Sequence, residues 1–296
     1  MAGLCEGGNE PSGSLKAILV NTHLTELRLP TQTPLTTSFH PLGSCCTFAT
    51  FNDILVLTDG IFGIRKRCGN PLSPRGDKEV PAANSWIIKQ DGLSSSEWRE
   101  MLKMTAMVAP VRSLPGRSTG TTHCRHCSEY ETLPHVLGSC PQGEVLRIKR
   151  HNTIRSMIAD ALRSKNLDVH EEFHCIADGG SNRRIDIIAI NRNKQTAEII
   201  DPTIRFEISA TQPSEVNEEK KKIYEPTIQY LSVKYNIEKI TVTGLFFGAG
   251  GIIPKAFVMW REKYKLTRDL QDAIDTTIIK FSVAIFRQHL YGVHSI

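Results

Sequence analysis

The sequence of 296 residues contains no apolar run near the ~18 residues that a membrane span requires. Its opening, MAGLCEGGNE, lacks the basic flank and apolar core of a signal peptide. These absences exclude membrane-embedded readings and leave an intracellular, non-secreted protein as the expectation. Neither charge sign dominates: 36 Lys and Arg stand against 31 Asp and Glu, a net +5. That mild excess is compatible with a phosphate-bearing partner without requiring one. Aromatics are sparse at 7%, and no internal repeat is visible. What remains is ordinary globular material, 40% hydrophobic and 23% charged, with enough chain for about two domains.

Composition shifts along the chain mark five segments. Residues 1–83 are rich in Leu, Thr, Pro, Ser and Gly, and have no helical period. Residues 49–64 could hold one or two strands around Asp59-Gly60, and residues 68–83 resemble a linker. The segment is otherwise unassigned, partly disordered or irregular. Residues 84–123 combine a helix with a basic linker. Ser94 and Glu97 make a capping-box pattern, and Trp98, Met101, Leu102 and Thr105 form a helical stripe. Residues 124–141 hold a cysteine and histidine cluster.

Residues 142–250 alternate helix and strand signals. Val145–Leu162 reads as a helix with Leu146, Ile154, Ile158 and Leu162 on its apolar face and Arg147, Lys149, Arg150 and Arg155 on its polar one. Strands are expected at Phe173–Ala177, Arg184–Ile190 and Thr196–Ile204, the last two joined by a polar hairpin turn. A charged helix capped by Ser214 and interrupted at Pro226 follows, then a helix at Thr227–Tyr235 and a strand at Lys239–Phe247. The order αβββαβ predicts an α/β fold of the α+β kind, one mixed sheet with helices against it. Residues 251–296 should add C-terminal helices, the last starting near Thr267.

Eight cysteines without a secretory signal point to metal ligation more than to disulfides. Cys124, Cys127, His135 and Cys140 read C-x2-C-x7-H-x4-C. Three thiolates and an imidazole satisfy tetrahedral Zn²⁺ with no open position, which makes the site structural. A module this small depends on its metal to fold. His123 and His126 are nearby substitutes as ligands.

Asp186 and Asp201 carry the second motif. If the hairpin is centred between Asn193 and Lys194, residues whose numbers sum to 387 face each other, and these two aspartates do. Two like charges in an isoleucine-rich sheet need a cation, a shared proton or a basic neighbour, and an oxygen-lined pocket suits Mg²⁺ or Mn²⁺. The plainer alternative leaves both at strand ends in solvent, paired with Arg184 and Arg205. On the following helix Val216, Lys220, Ile223 and Tyr224 share a face, which turns Lys220 toward the sheet. Its lysines equally complement the helix dipole. Between Arg112 and Arg155 basic residues outnumber acids, with histidines interleaved, so a phosphate backbone could be tracked there.

Together these pieces resemble the C-terminal region of an R2-type non-LTR retrotransposon polyprotein. The matching residues are Cys124, Cys127, His135 and Cys140, then Arg147-Ile148-Lys149-Arg150-His151, Arg184-Ile185-Asp186, Asp201-Pro202-Thr203, and Lys220 with Tyr224. In that family a CCHC zinc knuckle precedes a restriction-like endonuclease of the PD-(D/E)xK fold. The resemblance implies that Asp186 and Asp201 bind a catalytic Mg²⁺ or Mn²⁺, and that Lys220 and Tyr224 complete the site. It implies nucleic-acid contacts from Arg147, Lys149, Arg150, Arg155 and Arg184. The expected reaction is nicking of DNA, with element RNA as a further partner and the nucleus as the place of action. The alternatives are an inactive nucleic-acid-binding remnant and a zinc-stapled interaction domain. Ile185 stands where the fold's name has proline, and Thr203 where many relatives of the fold carry lysine. No pair of adjacent aspartates occurs, so the reverse transcriptase core is not legible, and a fragment of the polyprotein is expected.

Overall fold

A hairpin of two isoleucine-rich strands lies at the centre of the computed structural model, which describes residues 86–87, 90, 92–114 and 120–292. The unassigned segment 1–83, with its candidate strands and linker, lies outside the described residues. Strand β1 (Asp168–Ile176) pairs antiparallel with β2 (Asn182–Asn191), and β2 pairs antiparallel with β3 (Thr196–Arg205). Strand β4 (Lys239–Gly248) lies parallel to β3, giving the order β1-β2-β3-β4. Ile187 faces Ile200 and Ile188 faces Ile199, the register that the hairpin turn predicts.

Helices cover both faces of this sheet, which is why β2 and β3 read as near-continuous apolar runs. On one face α3 (Glu144–Arg163), α6 (Lys255–Lys263) and α7 (Arg268–Tyr291) pack on Ile187, Ile200 and Phe247. On the other, α4 (Gln212–Tyr224) and α5 (Ile228–Tyr235) cover Ile188, Ile190, Ile199 and Val242. These two helices form the crossover that a parallel β3–β4 pair demands. A third cluster joins α1 (Ser95–Thr105), α2 (Leu133–Gly138) and the second half of α7 through Trp98, Met101, Val136, Leu137, Val283 and Phe286. The architecture is the αβββαβ mixed sheet, and the Ser94–Glu97 capping box is formed. Among the described residues no helix is long and apolar enough to cross a membrane.

Three local expectations are corrected. Strand β1 starts at Asp168 rather than Phe173, because an edge strand carries polar residues such as His170 and Glu171 that hide its period. Its pairing skips Glu172, which has φ 48°, between Glu171–Ile187 and Phe173–Ile185. Helix α4 begins at Gln212 with Thr211 at the N-cap, so Ser214 lies inside its first turn. Arg150 and Arg155 belong to the buried side of α3, being 2% and 8% exposed. Arg150 stands one turn before Ile154 and two before Ile158, so helical geometry places it on the stripe that packs inward.

One contact ties this fold to a possible site. Gly244 on β4 lies opposite Asp201 in the ladder, and its N–H donates to Asn217 Oδ1 at 3.1 Å. A Cβ there would stand 2.9 Å from both Lys220 Cγ and the Val216 carbonyl oxygen. Helix α4 therefore approaches β4 at a distance only glycine allows. Gly244→Ala should displace α4 and cost about 1–3 kcal/mol. Denaturant unfolding checks this, and unchanged stability would contradict the close approach.

Candidate metal centre and acidic site

The cysteine cluster is built by a short turn and a six-residue helix. Cys124 N–H donates to the Glu129 carbonyl at 2.7 Å, which folds Cys127 back toward Cys124. Thr132 caps α2, accepting from His135 N–H at 3.2 Å, and that fixes where the imidazole enters. Cys140 N–H then donates to the His135 carbonyl at 2.8 Å. The four ligand atoms of Cys124, Cys127, His135 and Cys140 all lie within 4.8 Å of one another. Cys124 and Cys140 sulfurs are 3.8 Å apart, and Cys127 Sγ lies 3.3 Å from His135 Nε2. Tetrahedral zinc requires ~3.8 Å between sulfurs and ~3.6 Å between sulfur and nitrogen, so the donor set fits the ion. His135 Nδ1 lies 3.2 Å from Ser139 Oγ, which leaves Nε2 to face the centre.

The two substitute ligands are engaged elsewhere. His123 stacks on Tyr130 with ring centroids 5.1 Å apart. His126 donates from Nε2 to the His289 carbonyl at 2.7 Å. Burial pushes the Cys140 thiol up to about 12, and its contacts with Cys124 and Cys127 push the same way. A divalent cation would reverse that balance and hold the thiols as thiolates.

Glu131 anchors this module to the C-terminal helix. It is fully buried, and burial opposes its charge. Arg125 grips both oxygens at 2.9 and 2.8 Å, while Arg112 and Arg125 N–H groups donate at 3.0 and 3.1 Å. His289 Nε2 of α7 adds a contact at 3.1 Å. Together these donors outweigh burial and hold the carboxyl down to about 2. Cys124, Glu131 and His289 form a second close group of potential ligands.

The acidic site lies on the strands. Asp186 and Asp201 are 8% and 4% exposed, not solvated at strand ends. The Ile187–Ile200 pair is the last of the β2–β3 ladder at this end, and each aspartate stands one residue beyond it. Lys220 Nζ of α4 sits 3.0 Å from Asp201 Oδ2, and Tyr224 donates to the same oxygen at 2.9 Å. Tyr224 Oη also lies 3.3 Å from the Arg184 carbonyl, two residues before Asp186. Burial, then Asp201 and more weakly Asp186, raise the Tyr224 pKa well above its ordinary value. Neither Arg205 nor Arg184 forms an ion pair with the aspartates: Arg205 pairs with Glu219 at 2.7 Å and feels Asp201 only at longer range, and Arg184 points to Glu172 at 3.6 Å.

Two residues at this site escaped the sequence reading. His151 Nε2 lies 3.2 Å from Asp186 Oδ2, and Thr203 donates to Asp201 Oδ1 at 3.0 Å. The signal for His151 was present, since it shares the spacing of Ile154 and Ile158 on α3. That for Thr203 was its place two residues past the acid on the same strand face.

The basic residues expected to meet nucleic acid separate into two groups. Lys149 and Arg184 are exposed. Arg150 is enclosed, donating to Ser282 Oγ at 3.0 Å and to the Leu137 carbonyl. Burial lowers its pKa to about 9. Arg155 is committed to Glu171 and Glu172 at 3.1 and 2.7 Å. Arg147 holds the Cys140 carbonyl at 2.6 Å. Arg150 and Arg155 therefore serve packing, a correction that follows from their place on the inward stripe.

Two outcomes test these assignments. The purified chain should carry one zinc, and Cys140→Ser should lose it together with the thermal transition of the α1–α2–α7 core. Full zinc retention in that variant would contradict the ligand set. Glu131→Gln should cost about 3–5 kcal/mol near neutral pH, because Arg125 and His289 lose a buried partner. The carboxyl pKa is lower in the folded chain, so its contribution is present above about 4.5 and is lost as pH falls from there toward about 2. The stability gap between wild type and variant, measured by urea unfolding, should narrow over that window.

No protein-family model matches the chain. Three similar proteins each bear the description "Retrovirus-related Pol polyprotein from type-1 retrotransposable element R2" and come from Popillia japonica. One is 31% identical over 129 residues, 43% of this chain and 18% of the relative. Another is 24% identical over 199 residues, 66% of this chain and 39% of the relative. A third is 27% identical over 187 residues, 62% of this chain and 30% of the relative. The chain thus spans well under half the length of the relatives it matches. Over part of its length and at modest identity, the chain is thus similar to Pol polyproteins of R2 retrotransposable elements.

Proposed function

We propose that the chain is a metal-dependent DNA endonuclease module that nicks one strand by phosphodiester hydrolysis. The observation that carries this reading is the convergence of Lys220 and Tyr224 of α4 on Asp201, beside Asp186 of the neighbouring strand. Asp186 and Asp201 would hold Mg²⁺ or Mn²⁺, which when bound supplies Lewis acidity and an activated water. Asp186 suits this role because His151 is its one partner among the described residues, on one oxygen only. Lys220 is 16% exposed, close enough to solvent to face a phosphate and near enough to Asp201 to be held in place. Its ammonium would offset charge that develops on the phosphoryl oxygens. Tyr224 acts as a positioning residue: its raised pKa keeps the hydroxyl protonated, so it donates to Asp201 and orients it.

DNA would be the substrate, with element RNA a further partner and the nucleus the place of action. Exposed Lys149 and Arg184 are the remaining candidates for backbone contacts from the sequence reading, since Arg150 and Arg155 are enclosed. A second reading, nucleic-acid binding without cleavage, draws on the saturation of Asp201, whose oxygens already accept from Lys220, Tyr224 and Thr203.

Nicking of supercoiled plasmid with Mg²⁺ or Mn²⁺ separates the two. Asp186→Asn and Asp201→Asn should abolish it while zinc content and DNA binding persist. Lys220→Ala should slow it by about 10²-fold or more. Wild-type binding without nicking would favour the second reading, and nicking unchanged in both aspartate variants would end the assignment.

A further inference from the structure

The end of the sheet away from Asp201 holds a cavity that the endonuclease reading does not use. Its volume is about 440 Å³, and it opens where β3 and β4 begin. Five lysines line it: Lys165 after α3, Lys194 in the β2–β3 turn, Lys239 at the start of β4, and Lys263 and Lys265 at the end of α6. The one acid in the lining is Glu198, 3% exposed. Glu198 is already consumed. Lys263 donates to it at 2.5 Å, Trp260 Nε1 at 3.2 Å, and the Thr243 and Tyr264 hydroxyls complete its shell.

Five lysines against one glutamate, among the described residues, leave an excess of positive charge around one concavity. Among the described residues, the ammonium groups of Lys165, Lys194, Lys239 and Lys265 have no carboxylate within ion-pair distance. Two neighbouring acids have other partners: Asp168 pairs with Arg192 at 2.6 Å and Glu262 with Arg261 at 3.5 Å, while Glu238, next to Lys239, forms no ion pair with these lysines among the described residues. Like charges gathered this way raise the energy of the free protein, and an anion relieves it.

The scaffold beneath these lysines is fixed. Asn191 Oδ1 accepts from Lys194 N–H at 3.1 Å. The Gln195 carbonyl accepts from the N–H groups of Glu238 and Lys239 at 3.1 and 3.4 Å, tying the hairpin turn to the start of β4. Lys265 occupies a left-handed turn with φ 53°, its N–H donating to the Glu262 carbonyl at 2.9 Å. The side-chain stems thus leave rigid positions, which lowers the entropic cost of holding a ligand.

We infer that this cavity binds phosphate oxyanions of a nucleic-acid backbone, at a site separate from the acidic one. Thr196 and Asp201 are five residues apart on β3, roughly 16 Å of strand. Glu198 belongs to the α3–α6 face of the sheet, whereas Tyr224 and Lys220 approach Asp201 from α4. The lining offers ammonium and hydroxyl donors, and its one aromatic, Tyr264, is bound to Glu198 through its hydroxyl. Such a surface reads charge and spacing, not bases. The inference stands without cleavage, because it concerns binding alone.

The test is the salt dependence of binding of the full chain to a 30-nucleotide single strand and to a duplex, with sodium tripolyphosphate as a competing probe. Lys194→Ala with Lys239→Ala should weaken binding roughly tenfold at low salt. The slope of log K against log[salt] should become shallower by about 1.4 for the single strand and 1.8 for the duplex. A control pair elsewhere, Lys103→Ala with Lys280→Ala, should leave the slope unchanged, and thermal stability should hold in both. The slopes are measured without divalent metal, where no nicking is expected, so failure of nicking and failure of this site are distinguishable. An unchanged slope in the cavity variant, or an equal change in the control, would overturn the inference. Loss of tripolyphosphate competition with nucleic-acid binding intact would also overturn it, assigning the cavity to free polyphosphate.

Discussion

The turn that joins β2 to β3 sets the register on which everything near the acidic site rests. Both faces of the sheet are buried, so a one-residue slip would exchange one set of isoleucines for another, and apolar patterning alone discriminates weakly. The turn supplies the missing specificity. Asn191 caps the 3-10 turn of Arg192–Lys194, and Gln195 takes the left-handed conformation that returns the chain. That geometry pairs Asn191 with Thr196, and Ile187 with Ile200 follows four residues on. Asp186 and Asp201 each stand one residue beyond that last pair.

Charge in the interior is handled pairwise. Glu131 is neutralised by Arg125, with His289 in contact, Glu198 by Lys263 with three neutral donors, and Asp201 by Lys220 with two hydroxyls. Breaking any one leaves a charge in a low-dielectric setting, where the cost is about 3–5 kcal/mol. Asp275 takes the other course. Burial, with Asp272 and Glu207 nearby, raises its pKa well above the usual carboxyl value, which favours the neutral acid. Arg150 is buried with hydroxyl and carbonyl acceptors, and its pKa falls accordingly.

Helix α7 joins what the sequence presents as separate pieces. Its first half packs on the sheet through Ile274 and Ile278, and its second half meets α1 and α2 through Val283 and Phe286. At its end His289 touches Glu131 and lies 4.0 Å from Cys124. The metal centre is therefore embedded in a shared core. Its folding and that of the α1–α2–α7 cluster are coupled by contact, because the ligand-bearing helix α2 also supplies Val136 and Leu137 to that cluster.

Residue order by itself determined the gathering of Cys124, Cys127, His135 and Cys140, since Cys-x-x-Cys spacing and a capped turn before His135 are local matters. It determined the β2–β3 register for the same reason, because five turn residues contain the information. It also determined that Lys220 and Tyr224 share a helix face, although not what that face would meet. Tertiary structure decided the rest. Arg150 and Arg155 look like solvated charges in a linear pattern, yet packing of α3 on α7 and β1 encloses them, and their partners Ser282, Glu171 and Glu172 come from those elements. His151 joined Asp186 through a contact between elements. The five lysines of the distal cavity come from four places in the chain, each unremarkable alone. Their convergence exists only where strand starts and helix ends share one edge, because electrostatic fields add in space and not along the sequence.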